Sequence, residues 1–161
     1  LKNFAHPNSD EPEEADVNEG IESAIRIAWN EIKHKAELDK KLGELPIIKC
    51  HIGELNQVFL NLLINAAQAI ENRGRIGVES TYRDGVIIVC ISDTGSGIPE
   101  DKLSRIFEPF YTTKDVGQGT GLGLAISYGI VEKHGGRIEV ESKVGEYTRF
   151  ILHLPIVEEE Q

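Results

Sequence analysis

The feature that most constrains this chain is a run of alternating glycines, from Gly117 to Gly123, that leads directly into an apolar helical pattern. Glycines at every second position leave several backbone N–H groups uncovered, and the helix that follows adds partial positive charge at its start. The run has neither the Gly-Lys-Ser/Thr ending of a Walker A loop nor the GxGxxG spacing of a dinucleotide fold. A flexible linker is the alternative, but linkers are not followed immediately by a strongly apolar helix. The pattern favours a loop that binds a polyphosphate.

A second glycine cluster, Asp93-Thr94-Gly95-Ser96-Gly97, directly follows the apolar segment from Val86 to Ile91. A carboxylate at the end of a strand can accept a hydrogen bond from the exocyclic amine of adenine. Guanine places a carbonyl oxygen there, so the site should discriminate against it. Gly95 and Gly97 would let the backbone pass close to the flat base. A plain Asp-Thr-Gly turn is the alternative, because Asp and Gly dominate turns.

Two asparagines four residues apart, Asn61 and Asn65, border an apolar helical stripe. Residues at that spacing share one face of a helix. Magnesium takes oxygen ligands and leaves much of its shell to phosphates and water. One asparagine carbonyl oxygen together with phosphate oxygens would provide such ligands for magnesium. The alternative is that the two residues are ordinary amides on a helix face.

The segment between the two glycine clusters carries Lys114, which could reach terminal phosphates as a point charge. Phe107 and Phe110 could anchor the same segment in an apolar pocket. The alternatives are a solvated lysine and two core aromatic residues. Little periodicity is present from Phe107 to Gly123, so we expect a mobile loop, which is where closure over a ligand usually resides.

Composition excludes several classes of function. The 161 residues carry a formal net charge of −10, which argues against a nucleic-acid partner and against direct contact with an anionic membrane. Cys50 and Cys90 form no CxxC pair and the histidines show no metal spacing, so no zinc site is expected. Buried free thiols predict a reducing compartment, and we expect this domain in the cytoplasm whether its parent is membrane-anchored or soluble. No signal peptide or membrane-length segment is visible, and segments absent from this piece say nothing about the parent. The start at Leu1 and the lack of methionine predict a piece of a longer protein.

The apolar periodicity predicts three main helices and five or six strands in an α+β order. The helices are expected from Asn18, as the N-cap, to about Leu42, from about Gly53 to Asn72, and from Gly121 to His134, with a short one from Pro99 to Phe107. The predicted strands are Ile47–Cys50, Arg75–Tyr82, Val86–Ser92, Arg137–Lys143 and Thr148–Pro155. We also expect a hairpin around Arg83-Asp84-Gly85 and a packing role for Trp29. His134 is expected at a helix end where the dipole favours it, before a Gly135-Gly136 cap.

In this order, four segments resemble the ATP-binding catalytic domain of sensor histidine kinases, within the ATPase superfamily that includes gyrase, the chaperone Hsp90 and MutL. Residues 61–66 resemble the family's N box, 93–97 the G1 box, 107–110 the F box and 119–124 the G2 box. Residues 145–150 resemble its closing strand. The resemblance implies an α+β fold of Bergerat type: a two-layer sandwich with a mixed, mostly antiparallel sheet, three main helices on one face and a mobile ATP lid. It divides the chain into the end of an upstream dimerisation helix with a linker (1–15), the ATP-binding catalytic domain (16–157) and an acidic tail (158–161).

The resemblance also implies residue roles. Asn65 would ligate Mg2+, Asn61 would support the phosphates, and Asp93 would bind the adenine amine, with Thr148 nearby. Backbone groups of the G2 box would hold the phosphates, with Lys114 on the lid. The implied catalytic residues are Asn61, Asn65 and Lys114, and the implied nucleotide-binding set is Asn61, Asn65, Asp93, Gly95, Gly97, Ile98, Lys114, Gly119, Thr120, Gly121, Leu122, Gly123 and Thr148.

The chain departs from the family pattern at three places. Gln68 stands where many members carry a basic residue, which leaves open whether it replaces that phosphate contact. Ala69 stands where an aromatic residue is often found near the base. The sequence from Asn65 to Ala69 is similar to nitrogen-regulatory and sporulation-type kinases. The helix with the phospho-accepting histidine is absent, and His6 is assigned no acceptor role.

The function expected from the resemblance is transfer of the γ-phosphoryl group of Mg–ATP to a histidine on a separate helical dimerisation domain, with a response regulator as the downstream partner. The chain alone should bind ATP and ADP as a monomer without phosphorylating itself. An ATP-gated ATPase of the gyrase or MutL type is the alternative; those enzymes use a glutamate one turn before the magnesium asparagine, where this chain has Asn61. A non-enzymatic nucleotide-sensing or docking domain is the third hypothesis.

Overall fold

The computed structural model describes residues 11–111 and 123–156 of the chain. Within them the helices are α1 (Val17–Lys33), α2 (Ile52–Ala69), α3 (Glu100–Leu103) and α4 (Gly123–Lys133). The strands are β1 (Glu13–Ala15), β2 (Ala36–Leu42), β3 (Ile48–Cys50), β4 (Gly74–Arg83), β5 (Val86–Asp93), β6 (Arg137–Lys143) and β7 (Tyr147–Pro155). The positions singled out from the sequence that lie outside the described residues are His6, Lys114, Gly119, Thr120, Gly121 and Leu122.

Five strands form one mixed sheet in the order β2-β4-β5-β7-β6, and β1 pairs with β3 in a separate two-stranded sheet. Strand β2 runs parallel to β4, whereas the other neighbouring pairs of the large sheet are antiparallel. Alternate residues of β5 and β7 are buried, and contacts join α1 to β2, α2 to β5 and α4 to β6. The predicted α+β fold with a mixed, mostly antiparallel sheet and three main helices is confirmed.

Helix α2 lies at the centre of the helical layer. Its apolar positions recur every three or four residues, so one face of the helix can be buried completely. It packs against both α1 and α4 as well as the sheet. Full burial of a large apolar side chain is worth roughly 1.5–3 kcal/mol, and α2 has five with no solvent exposure: Leu55, Val58, Phe59, Leu62 and Leu63.

The first predicted helix was wrong in its second half. Helix α1 ends at Lys33, and the residues expected to continue it to Leu42 form strand β2 instead. Ile32 and Ala36 are both buried and four residues apart, so they fit a helical period equally well. Parallel pairing of β2 with β4 decides the outcome, because it satisfies backbone groups along the whole segment.

The start of α1 also differs from expectation. The N-cap is Asp16, whose carboxylate accepts a hydrogen bond from the backbone N–H of Asn18 at 2.9 Å. The Asn18 side chain instead donates to the carbonyl oxygen of Gly43 at 2.7 Å. Trp29, for which the sequence predicts a packing role, is 43% exposed.

Most turn and cap predictions are confirmed. Asp84 and Gly85 form the two-residue turn between β4 and β5 with φ of 52° and 79°, the left-handed geometry that Asp-Gly favours. Gly135 ends α4 with φ of 73°, as expected for a C-cap glycine. Strand β1, in the stretch assigned to a linker, was not predicted; its three residues lack a distinctive pattern and depend on pairing with β3.

His134, which follows α4, joins the end of α4 to the start of α2. Its Nε2 accepts a hydrogen bond from the backbone N–H of His51 at 3.1 Å, and its Nδ1 lies 2.8 Å from the carbonyl oxygen of Ile130. One ring nitrogen accepts and the other donates, so the imidazole is neutral. Burial also lowers the pKa of His134, which favours the neutral imidazole as well. The helix-dipole interpretation is therefore wrong, because a neutral ring carries no charge to interact with the dipole.

The loop after β5 is held by two close backbone approaches. A Cβ on Gly95 would lie 2.5 Å from the carbonyl oxygen of Ala69 at the end of α2, and a Cβ on Gly97, which has φ of 77°, would collide with the carbonyl oxygen of Lys143. The backbone N–H of Ser96 donates to that same Ala69 oxygen at 3.0 Å. Both glycines are therefore needed for packing of the loop against the protein itself, a reason that differs from the base contact expected from the sequence.

We predict that Gly95→Ala lowers the free energy of unfolding by roughly 1–3 kcal/mol, because a methyl group must be forced against fixed backbone. Chemical denaturation measures the change. Gly129→Ala is the matched control: nothing lies within 4 Å of a Cβ there, and alanine favours a helix interior over glycine by about 0.5–1 kcal/mol. Equal stability of Gly95→Ala and the unsubstituted chain would contradict the close approach.

Candidate nucleotide-binding site

Asp93 and Thr148 lie side by side at one end of the sheet. They are register partners on β5 and β7, and both are buried, with 5% and 4% exposure. Asp93 Oδ1 accepts the backbone N–H of Gly95 at 2.8 Å. Burial raises the pKa of the Asp93 carboxyl to about 6, and the Gly95 hydrogen bond acts in the opposite direction. At neutral pH the group is therefore mainly a carboxylate, which is an acceptor only.

Ser142 connects Thr148 to the glycine loop after β5, and sequence reasoning missed it. Its Oγ lies 2.8 Å from Thr148 Oγ1, accepts the backbone N–H of Ile98 at 2.7 Å, and donates to the carbonyl oxygen of Tyr147 at 2.9 Å. One serine thus ties the loop to two neighbouring residues of β7. A single serine in a polar strand gives no signal in the sequence.

Asn61 and Asn65 lie on one face of α2, half-buried, one helical turn apart. Asn61 Nδ2 lies 3.4 Å from the carbonyl oxygen of Gly123 and 3.4 Å from Ser127 Oγ. Gly123 begins α4, directly after the glycine run, so Asn61 joins α2 to the end of the predicted phosphate loop. Ser127, the buried partner of Asn61, was not singled out from the sequence.

The two aromatic residues of the F box behave differently. Phe107 is partly buried and packs against Tyr128 and Phe150, with ring centroids 5.3 Å and 6.4 Å apart. Phe110 is 73% exposed and has a positive φ of 67°. Phe107 therefore anchors its segment in apolar surroundings, which agrees with the interpretation of this residue as an anchor. Phe110 is neither a core residue nor an anchor.

The two ends of the candidate site lie along the same helix. The loop that carries Asp93 docks on Ala69 at the end of α2, and Asn61 lies eight residues earlier, a rise of about 12 Å at 1.5 Å per residue. The α2 backbone therefore fixes the distance between the aspartate loop and the start of α4. Of the predicted site residues, the described part of the chain brings together Asp93, Gly95, Gly97, Ile98 and Thr148 at one end, and Asn61 and Gly123 with neighbouring Asn65 at the other.

Asn61 and Asn65 are the candidate side chains for a metal that takes oxygen ligands. No group of three or more His, Cys, Asp or Glu side chains capable of holding a metal occurs among the described residues. An amide oxygen beside phosphate oxygens suits Mg2+, which keeps much of its shell for substrate and water. The helices in the described ranges include none long and apolar enough to cross a membrane.

Comparison with known proteins places the chain in a family. The sequence model described as "Histidine kinase-, DNA gyrase B-, and HSP90-like ATPase" matches residues 51–158. The sensor kinase CckA of Brucella abortus is 41% identical over 151 residues, which cover 84% of this chain and 16% of CckA. Sporulation kinase E of Bacillus subtilis is 44% identical over 116 residues, covering 71% of this chain and 15% of that kinase. The chain thus spans about a sixth of the length of these relatives.

The fold leads to the same family. The nucleotide-free catalytic domain of the histidine kinase ThkA superposes with a TM-score of 0.81 at 32% identity, covering 91% of this chain and 96% of that domain. The gyrase and MutL proteins are related only at the level of the wider superfamily. The chain therefore belongs to the histidine kinase-, DNA gyrase B- and HSP90-like ATPase family and, within it, to the catalytic domains of sensor histidine kinases.

Proposed function

We propose that this domain binds Mg–ATP along α2 and delivers its γ-phosphoryl group to a histidine on a separate helical domain. The observation that carries the proposal is the alignment of a buried carboxylate and a pair of amides along one helix. Asp93 lies at the end of α2 through the docking of its loop on Ala69, and Asn61 and Asn65 project from the middle of the helix. A nucleotide bound along this line would place its base and its phosphates at different ends of the site.

At the base end, the Asp93 carboxylate selects adenine. Oδ1 accepts from Gly95, and we assign the other oxygen to the exocyclic amine of the base. Gly97, Ile98 and Thr148 complete this end, since Ser142 ties Ile98 to Thr148. Guanine would set its carbonyl oxygen against the carboxylate, and two facing acceptors are unfavourable.

At the phosphate end, we assign the backbone of the G2 box to the phosphates and Asn65 Oδ1 to the metal. Gly119, Thr120, Gly121 and Leu122 supply N–H groups directly before α4, whose first residue is Gly123. Lys114 adds a positive charge. Magnesium, when bound, would neutralise phosphate charge and orient the chain of phosphates.

The reaction that fits these groups is phosphoryl transfer to a nitrogen. An imidazole nitrogen of the acceptor histidine attacks the γ-phosphorus, the bond from that phosphorus to the bridging oxygen breaks, and ADP departs with the electron pair. The attacking nitrogen of a neutral imidazole already has a free lone pair, and the proton on the other ring nitrogen leaves to water after transfer, so this domain need not remove a proton before attack. Positioning and charge neutralisation supply most of such catalysis. Asn61 stands one turn before Asn65 and cannot take a proton from water, which argues against a hydrolase of the gyrase or MutL type.

The proposed reaction also implies which partners this domain has and in which compartment it works. The acceptor is the helical dimerisation domain of the parent protein, and a response regulator accepts the phosphoryl group next. Free Cys50 and Cys90 suit the reducing environment of the cytoplasm.

We predict that Asp93→Asn weakens ATP binding by roughly 10- to 100-fold, because one hydrogen bond to a charged acceptor, worth about 1.5–3 kcal/mol, is lost. Calorimetric titration with ATP and GTP measures it, and the unsubstituted chain should bind ATP more tightly than GTP. Asp84→Asn, the same change at an exposed turn, is the control and should leave affinity unchanged. Unaltered ATP affinity in Asp93→Asn would remove the adenine role.

The same substitution should stabilise the domain without nucleotide. The Asp93 pKa is raised from 3.8 to about 6, so between these values the folded state binds more protons than the unfolded state and stability falls as pH rises. Asp93→Asn should therefore raise the free energy of unfolding by on the order of 2 kcal/mol at about pH 7.5. Near pH 4 the two proteins should be equally stable. Denaturation at both pH values tests this, and a less stable Asp93→Asn at neutral pH would contradict it.

Labelled phosphate tests the transfer itself. With ATP labelled in the γ-phosphate, the chain alone should retain no label and release phosphate slowly. Addition of the parent's dimerisation domain should produce acid-labile, base-stable label on that domain. Rapid hydrolysis by the chain alone would favour the gyrase-type alternative, and label on the chain itself would contradict the proposed acceptor.

A further inference from the structure

Ser127 is the one buried polar residue of α4 in the described part of the chain, with no solvent exposure. Buried hydroxyl groups in folded proteins have hydrogen-bond partners. Ser127 Oγ lies 3.4 Å from Asn61 Nδ2, and the carbonyl oxygen of Gly123 lies at the same distance from that nitrogen. Gly123 and Ser127 are four residues apart, so both acceptors lie on one face of the first turn of α4.

These two acceptors determine which way the Asn61 amide points. Its nitrogen carries two hydrogens and its oxygen carries none. A carbonyl oxygen such as that of Gly123 can only accept, so a reversed amide would set two acceptors against each other. A serine hydroxyl in a helix can donate to the carbonyl oxygen four residues earlier, which for Ser127 is that of Gly123, and such a bond would leave its lone pairs for Asn61. With Nδ2 directed at α4, Oδ1 is directed away from it.

We propose that Ser127 is a positioning residue that keeps the carbonyl oxygen of Asn61 available to the hydrated magnesium ion of Mg–ATP. This inference rests on the proposed function. An amide nitrogen would donate to a phosphate oxygen directly, whereas an amide oxygen repels phosphate and attracts a cation or the hydrogens of its bound water. Asn61 therefore contributes to the magnesium-dependent part of ATP binding, which refines the phosphate-supporting role implied by the family resemblance.

The position of Ser127 also makes this orientation depend on α4. Gly123 and Ser127 belong to the first turn after the glycine run, and Asn61 belongs to α2. Displacement of that turn would remove both acceptors from Nδ2 together. The amide would then be free to rotate, because no acceptor on α4 would distinguish its nitrogen from its oxygen. The start of α4 thus holds Asn61 in its cation-facing state.

The test is the affinity for ATP in excess Mg2+ and in chelator, measured by calorimetry. The unsubstituted chain should bind ATP more tightly with Mg2+, and the ratio of the two dissociation constants defines its magnesium gain. Ser127→Ala should reduce this gain by about 3- to 10-fold, as expected for one lost hydrogen bond of about 1 kcal/mol, while the affinity in chelator changes less than about twofold.

A matched pair separates the hydroxyl group from packing. Ser127→Thr and Ser127→Val add methyl bulk of the same shape, but only threonine keeps the hydroxyl. Thr should retain most of the magnesium gain that Val loses, and thermal unfolding should show both variants folded. Equal losses in Thr and Val, or equal weakening with and without Mg2+ in Ser127→Ala, would assign Ser127 a structural role and overturn the inference.

The outcomes also separate this inference from the proposed function. If the unsubstituted chain binds no ATP under either condition, the proposed function fails. If it binds with a clear magnesium gain that Ser127→Ala and Ser127→Val retain in full, only the positioning role of Ser127 fails.

Discussion

Burial of one face of α2 between α1, α4 and the sheet is the interaction on which the rest of the structure depends. Its large apolar side chains are fully buried, so the helix cannot rotate or slide without exposing them to water. Backbone groups at both ends of α2 are also held by hydrogen bonds from other parts of the chain. His134 holds the backbone N–H of His51 at the start, and the Lys35 ammonium group donates to the carbonyl oxygen of Ile70 just beyond the end.

The candidate site is a consequence of that fixed helix. The loop after β5 uses the carbonyl oxygen of Ala69 as its docking point, and the start of α4 is hydrogen-bonded to Asn61. Both ends of the site thus contact the same rigid helix, α2, which keeps the distance between them constant. A nucleotide needs such constancy, because its base and its phosphates must be recognised together for phosphoryl transfer.

The site also carries a cost that the fold does not require. Asp93 is buried as a mainly ionised group, and burial raises its pKa because the charged form is disfavoured there. A neutral amide would keep the hydrogen bond from Gly95 without the charge. Functional positions often reduce stability in this way, and the surrounding β5, β7 and α2 packing offsets it. His134 is half-buried in its neutral form and carries no such penalty.

The sequence by itself determined the elements whose signals are local: the α2 stripe, the Asp84-Gly85 turn, the Gly135 cap, and the order of motifs that identifies the family. It also indicated Asp93, Asn61 and Asn65, because their chemistry stands out from their neighbours. Only the tertiary structure decided that residues 36–42 form a strand, since Ile32 and Ala36 fit either period until β4 supplies its backbone partners. It alone revealed Ser142 and Ser127, whose roles depend on atoms distant in sequence. Pairing and burial between distant segments leave no periodic trace in a single sequence, which is why these features appear only in the folded chain.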